Sequence, residues 1–339
     1  MRTKYFIPSL MLGFILILGS CSEERKTWYI PPEQDPEEEP DESLADWAPT
    51  VPITYYGNCH GENPDGRPMY PWWGEHMVLL SYEADLEPSA MKKWVDAADT
   101  IYEFYLKCTG GRTPWIDSSC YINDRICLAA THGLPAAAEA WVGGTGIWMN
   151  SINFEGVYNS YKNGYQDGLT PYEMGRNFWM FGSKITYGTD EPECTGYSNF
   201  MARMATVEIL GQTFSNPETD PTWNIDKLFD IYMSNPNNTY ENTIAVERGI
   251  DNPYGQGATD LFACFLFELQ ERYGGLDWVV KFWNYVSQRP DAASEQTAVD
   301  NLIVAASQAA GKSLCDLFEE WRWPVSQNAR AAVQALGLL

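Results

Sequence analysis

The order in which hydrophobic periodicity changes along the chain does most to narrow its fold. Residues 88–108 place Met91, Trp94, Val95, Ala98, Ile101, Tyr102 and Tyr105 at three-and-four spacing, the repeat of a helix with one buried face. Short apolar runs at 76–81, 125–131 and 146–150 read as strands, the last two separated by a small-residue stretch at 132–145. Residues 55–82, apart from that first strand, are rich in Gly, Pro and aromatic residues and read as loop. Beyond Pro171 the pattern is helical, with helices predicted at 196–210, 223–233, 256–273, 276–287, 294–309 and 313–321. Mixed elements first and helices afterwards predict an α+β fold. A lobe of sheet plus helices spans about 51–180, and a mainly helical part about 181–339.

The two parts meet at Thr170-Pro171-Tyr172-Glu173-Met174-Gly175-Arg176-Asn177-Phe178-Trp179. Thr170 before Pro171 reads as an N-cap, and Glu173 three residues later completes a capping box. Tyr172 and Arg176 stand four apart with Glu173 between them, the spacing of a zinc-peptidase His-Glu-x-x-His helix with its Glu present and both His replaced. Left to local spacing, Glu173 pairs with Arg176 at i+3.

The stretch from Tyr172 to Trp179 resembles the His-Glu-x-Gly-His-Asn-(Phe/His) signature of the enhancin-like, mucin-degrading gluzincin peptidases. Thr195-Gly196-Tyr197-Ser198-Asn199-Phe200 is similar to the segment that supplies their third zinc ligand, a Glu, shortly before an Asn. Leu317-Phe318-Glu319-Glu320-Trp321-Arg322-Trp323-Pro324-Val325 resembles their closing Leu-Phe-x-x-Trp-x-(Ile)-Pro-Val. The resemblance implies a zincin-like first lobe. It also implies that the three ligand positions fall on Tyr172, Arg176 and Gly196. Arg176 has no lone pair to give, Tyr172 could ligate only as phenolate, and Gly196 has no side chain. No metal and no cofactor are therefore expected. Glu173 remains the one catalytic candidate, as a metal-free acid or base. His60, His76 and His132, the only histidines, are too scattered to rebuild a metal site and read as ordinary hydrogen-bonded residues.

The chain opens on Arg2, Lys4 and an apolar run from Ile7 to Leu18, then Leu18-Gly19-Ser20-Cys21. This resembles a bacterial lipoprotein signal, cut before a Cys21 that is then acylated. Residues 1–20 are thus expected to be signal peptide. Residues 21–50, dominated by Pro, Glu and Asp, are expected to be an acidic disordered stalk, and 51–339 the folded domain. Glu23-Glu24 resembles the sorting signals of surface-exposed lipoproteins, which places the protein on the outer membrane, facing outward. A formal charge of −24 counts against nucleic acid as a partner. Of the eight cysteines, Cys264 reads as a buried thiol. Cys59, Cys108, Cys120, Cys127 and Cys194 sit in or near predicted turns, where one or two disulfides are expected.

Aromatic residues make up 14% of the chain. Trp72, Trp73, Trp115, Trp141, Trp148 and Trp179 fall in loops, at strand ends or on the motif helix. Such rings pack in cores or serve as flat platforms for the C–H faces of sugars. Trp179 shares a helix face with Tyr172 and Arg176, and Trp148 lies on the strand that resembles the substrate side of zincins. Tyr172, Arg176, Trp179 and Trp148 are accordingly the expected binding residues. Arg176, as a free fork of N–H donors, suggests an anionic group such as an acidic sugar or a peptide carboxylate. The expected function is a lipid-anchored, catalytically degenerate metallopeptidase-like protein that binds glycan, glycoprotein or peptide in the former cleft. The alternatives are an active hydrolase of host glycoproteins and a structural subunit of an outer-membrane assembly.

Overall fold

The computed structural model describes residues 42–57, 66–188, 191–212 and 224–338. Cys21, Cys59 and His60 lie outside them, as do the signal and most of the stalk.

A seven-stranded mixed sheet forms the first half. Its strands are β1 (Ile53–Tyr55), β2 (Arg67–Trp73), β3 (Met77–Ser81), β4 (Tyr121–Ile122), β5 (Arg125–Thr131), β6 (Ala138–Ala140) and β7 (Ile147–Asn150). The order is β1-β2-β3-β5-β7-β6, with β4 added to β5. β3, β5 and β7 run parallel, while β6 closes one edge antiparallel to β7, with Glu139 opposite Trp148. β3 and most of β5 are buried residue after residue, as strands covered on both faces must be. The strands at 76–81, 125–131 and 146–150 stand where the sequence predicts them. β2 falls in the stretch read as loop. Pro68 and Pro71 lie within it, paired with Thr54 and Leu80, and hide its alternation.

The helices are α1 (Glu42–Trp47), α2 (Pro88–Cys108), α3 (Ser151–Lys162), α4 (Leu169–Asn177), α5 (Gly182–Ile185), α6 (Glu193–Arg203), α7 (Leu228–Ser234), α8 (Ala258–Tyr273), α9 (Gly275–Ser287), α10 (Glu295–Ala310), α11 (Cys315–Glu320) and α12 (Gln327–Ala335). α6 runs on into a π-helical turn at Met204–Ile209. The helical second part is therefore as expected. The domain boundary expected at 50 moves upstream, because α1 docks on the sheet. Trp47 stacks at a tilt on Trp72 (5.4 Å) and donates from Nε1 to the carbonyl of Trp73 (3.1 Å).

α2 fixes the start of α4. Trp94 Nε1 donates to Thr170 Oγ1 (3.0 Å), and the Tyr105 hydroxyl donates to the Pro171 carbonyl (2.7 Å), both in the buried core. The closing segment that resembles the gluzincin C-terminus is core. Trp321 and Trp323 are buried against Phe265 and Phe318. No disulfide joins any two of the six described cysteines. The described ones expected near turns do lie at or close to them, with Cys108 ending α2 and Cys120 closing a turn, but each is a buried thiol. Cys264 is buried, as its apolar run implies.

Candidate functional site

α4 begins two residues earlier than the sequence suggests, at Leu169 rather than Pro171. The carboxylate of Asp167 accepts from the amides of Leu169 (2.9 Å) and Thr170 (2.7 Å), which is the capping role assigned to Thr170. Thr170 is instead taken up by Trp94. Glu173 does not reach back to close a capping box; it lies one turn into the helix, buried, and its Oε2 has no hydrogen-bond partner among the described residues.

Nor does Glu173 pair with Arg176. The Arg176 Nη2 donates to the Tyr172 hydroxyl (2.9 Å) and to Thr195 Oγ1 (2.9 Å) on α6. Thr195 in turn donates to Glu191 Oε1 (2.6 Å), which stands 3.9 Å from Arg176 Nη1. The guanidinium carbon lies 5.3 Å from the centre of the Tyr172 ring. Tyr172 and Arg176 are thus brought together as expected, through a network that spans α4 and α6. The charge of Arg176 is answered inside the fold by Glu191, so the expectation of an anionic ligand does not carry forward.

Burial pushes the Glu173 carboxyl up to about 7, with Glu139 on the edge strand adding to the rise and Arg176 partly opposing it. Burial likewise raises the Tyr172 phenol, though Arg176 pulls it back, so it stays protonated at neutral pH. A neutral phenol and a guanidinium are poor company for a zinc ion. The third position is closed sterically. A Cβ on Gly196 would stand 2.6 Å from the Thr259 carbonyl oxygen and 2.8 Å from the Phe262 ring, because α8 packs directly on α6 there. Asn199 holds that contact, donating to Asp260 Oδ1 (3.0 Å) at the start of α8. The residues at these positions do not fit zinc.

Trp148 and Trp179 are corrections. Trp179 lies past the end of α4, 3% exposed, against Phe181 and Tyr197. Trp148 is 1% exposed, edge-on to Trp141. Both are core residues, because the helix stops at Asn177 and the indole of β7 turns inward. What spacing does not reveal is Asn177. Its Nδ2 donates to the carbonyls of Trp141 (3.0 Å) and Gly146 (3.1 Å), and Gly143 N donates to the Arg176 carbonyl (2.8 Å). The loop 141–146 therefore hangs from the end of the motif helix. Its signal was the Asn177 of the motif itself.

His132 stacks on Tyr82 (4.1 Å) and shares a hydrogen bond with Ser151 (2.7 Å), an ordinary structural histidine. His76, stacked on Tyr102 (4.6 Å), gathers with Glu75 and Glu103 so that one ligand atom from each lies within 4.8 Å of the others. That group sits on the surface at the start of β3, with both glutamates exposed. A cavity of about 430 Å³ between α2, the π-helical turn and α9 includes no residue of α4.

No family model matches the sequence, and no curated protein matches it. Among solved structures, the chain is similar to a conserved protein of unknown function from Bacillus anthracis (TM-score 0.54, 14% identity, over 82% of this chain and 53% of that one). It is also similar to a metallopeptidase in complex with Tn antigen (TM-score 0.52, 13% identity, 79% and 51%). A third is a structure of the CBM32 and M60 catalytic domains of ZmpB from Clostridium perfringens (TM-score 0.50, 14% identity, 80% and 26%). The chain spans about half the length of the first two. At such identity the likeness is one of fold: a sheet plus helices followed by a helical part, as in M60 metallopeptidase domains.

Proposed function

We propose that this protein is a catalytically degenerate, metallopeptidase-like binding protein, lipid-anchored at Cys21 on the outer surface of the outer membrane. It holds a glycan or glycoprotein over the former active-site face. The observation that carries this reading is the Arg176 network. A guanidinium bonded to Tyr172 and Thr195 and facing Glu191 stands on the helix that resembles the zinc helix. A fixed positive charge takes the place of an exchangeable ion, and a guanidinium cannot activate water as zinc does. The structural likeness to a metallopeptidase in complex with Tn antigen supports a glycan as ligand.

Metal content tests the reading. The purified full chain is expected to carry no stoichiometric zinc, and a chelator is expected to leave its Tm unchanged, since no metal is linked to folding. One zinc per chain with a chelator-sensitive Tm would refute it. A metal-free hydrolase has one observation in its favour, the buried Glu173 carboxyl with a pKa of about 7, suited to acid–base work at neutral pH. Turnover of a glycopeptide that disappears in Glu173→Gln would establish that alternative.

A further inference from the structure

The segment that pairs with the loop hanging from α4 carries an exposed indole with no structural duty that would require its exposure. Trp115 is 53% exposed, beside exposed Ile116 and Val142. Its backbone is held on both sides. Trp115 N donates to the Gly143 carbonyl (2.9 Å), Thr145 N donates to the Trp115 carbonyl (3.0 Å), and Asp117 N donates to Thr145 Oγ1 (2.9 Å). Its indole packs closely on Gly144, where a Cβ would come within 2.3 Å of the ring. The indole is thus held against backbone in a residue that is 53% exposed. Behind it Trp141 is tilted at 6.3 Å, and behind Trp141 stands buried Trp148 at 5.9 Å. Three indoles run from surface to core, and the middle one belongs to the loop that Asn177 and Arg176 hold.

We infer that Trp115, seated on Gly144 and backed by Trp141, is a stacking platform for an uncharged hexopyranose ring. This rests on the reading of the protein as a glycan binder and assigns it a subsite and a ligand class. An immobilised indole loses little freedom on contact and presents an apolar face that suits the C–H face of a sugar. The chain's charge selects against acidic sugars, since a formal charge of −24 repels them. Close to Trp115 in sequence, the Asp117 carboxylate accepts from Ser119 N (2.9 Å) and Oγ (2.7 Å), and Arg112 turns its Nε back onto the Thr109 carbonyl (3.2 Å), so that cation is engaged by the backbone.

The test compares the full chain with Trp115→Ala and Trp115→Phe in binding to immobilised mucin before and after desialylation, and after enzymatic removal of its O-glycans. Because Trp115 is exposed, its loss is expected to leave Tm nearly unchanged. The inference expects the parent to bind desialylated mucin better than sialylated mucin. It expects Trp115→Ala to weaken that binding about tenfold and Trp115→Phe to keep part of it. If the parent binds but Trp115→Ala binds equally well, the platform is wrong and the glycan-binding reading stands. If the parent binds none of the three mucins, both are wrong. If binding survives glycan removal and still needs Trp115, the surface recognises polypeptide, and the inference is overturned.

Discussion

Glu173 offers the sharpest physical test of the site. Its carboxyl is buried, and its pKa rises from 4.5 to about 7. The folded state thus holds a proton that the unfolded chain has already released between those pH values. The sign follows: this group's contribution to stability is fully present below about pH 4.5 and is lost as pH rises through 7. At 1.36 kcal/mol per unit, the difference between pH 5 and pH 8 is about 2–3 kcal/mol. Glu173→Gln removes the titration. It also leaves a buried amide with no ready partner, which costs about 1–3 kcal/mol at every pH. That constant cancels when the two pH values are compared. Denaturant unfolding of the parent and the variant at pH 5 and pH 8 should therefore show the variant gaining about 2–3 kcal/mol on the parent at the higher pH. Parallel stability curves would refute the argument, because they would mean that Glu173 titrates alike in the folded and unfolded chain.

Arg176→Ala should destabilise by about 2–3 kcal/mol in thermal or denaturant unfolding, because it strips partners from Tyr172, Thr195 and Glu191 at once. It should also raise the Glu173 pKa further, since Arg176 now holds that carboxyl down; an unchanged pH profile would contradict this. Cys21→Ser should release the protein from membrane fractions into the soluble pool, because the proposed acyl chains supply the attachment. A variant that still requires detergent would end the lipoprotein reading.

Much of the fold was legible because the relevant signals are local. α2 announces itself through seven apolar residues on one face, and β3 and β5 through continuous burial between covered faces. The elements that escaped carry weak local signals. β2 holds two prolines, β6 is three residues long, and α3 contains Gly156 and depends on Asn150, whose side chain accepts from Asn153 N (3.1 Å). The site was legible in its residues and mistaken in its pairings. Tyr172 and Arg176 do meet, because i and i+4 share a helix face. The predicted Glu173–Arg176 pair fails because Arg176 finds Thr195 and Glu191 across the α4–α6 interface, partners that no helical spacing can reveal. The same holds for Trp179: the periodicity places it beside Arg176 only if the helix continues, and it does not.

The close seat of α8 on α6 at Gly196 limits what substitution can do at this site. Where a metal site needs only new side chains, the right codons suffice. Here, at the position that resembles the third ligand, even one added carbon meets the Thr259 carbonyl and the Phe262 ring. Changing Tyr172 and Arg176 to histidine would supply two ligands, while a third at Gly196 would require two packed helices to part, along with the Asn199–Asp260 bond between them. Variants on that route lose stability before they could hold a metal, so the helix packing closes the position to a ligand by sterics rather than by chemistry alone.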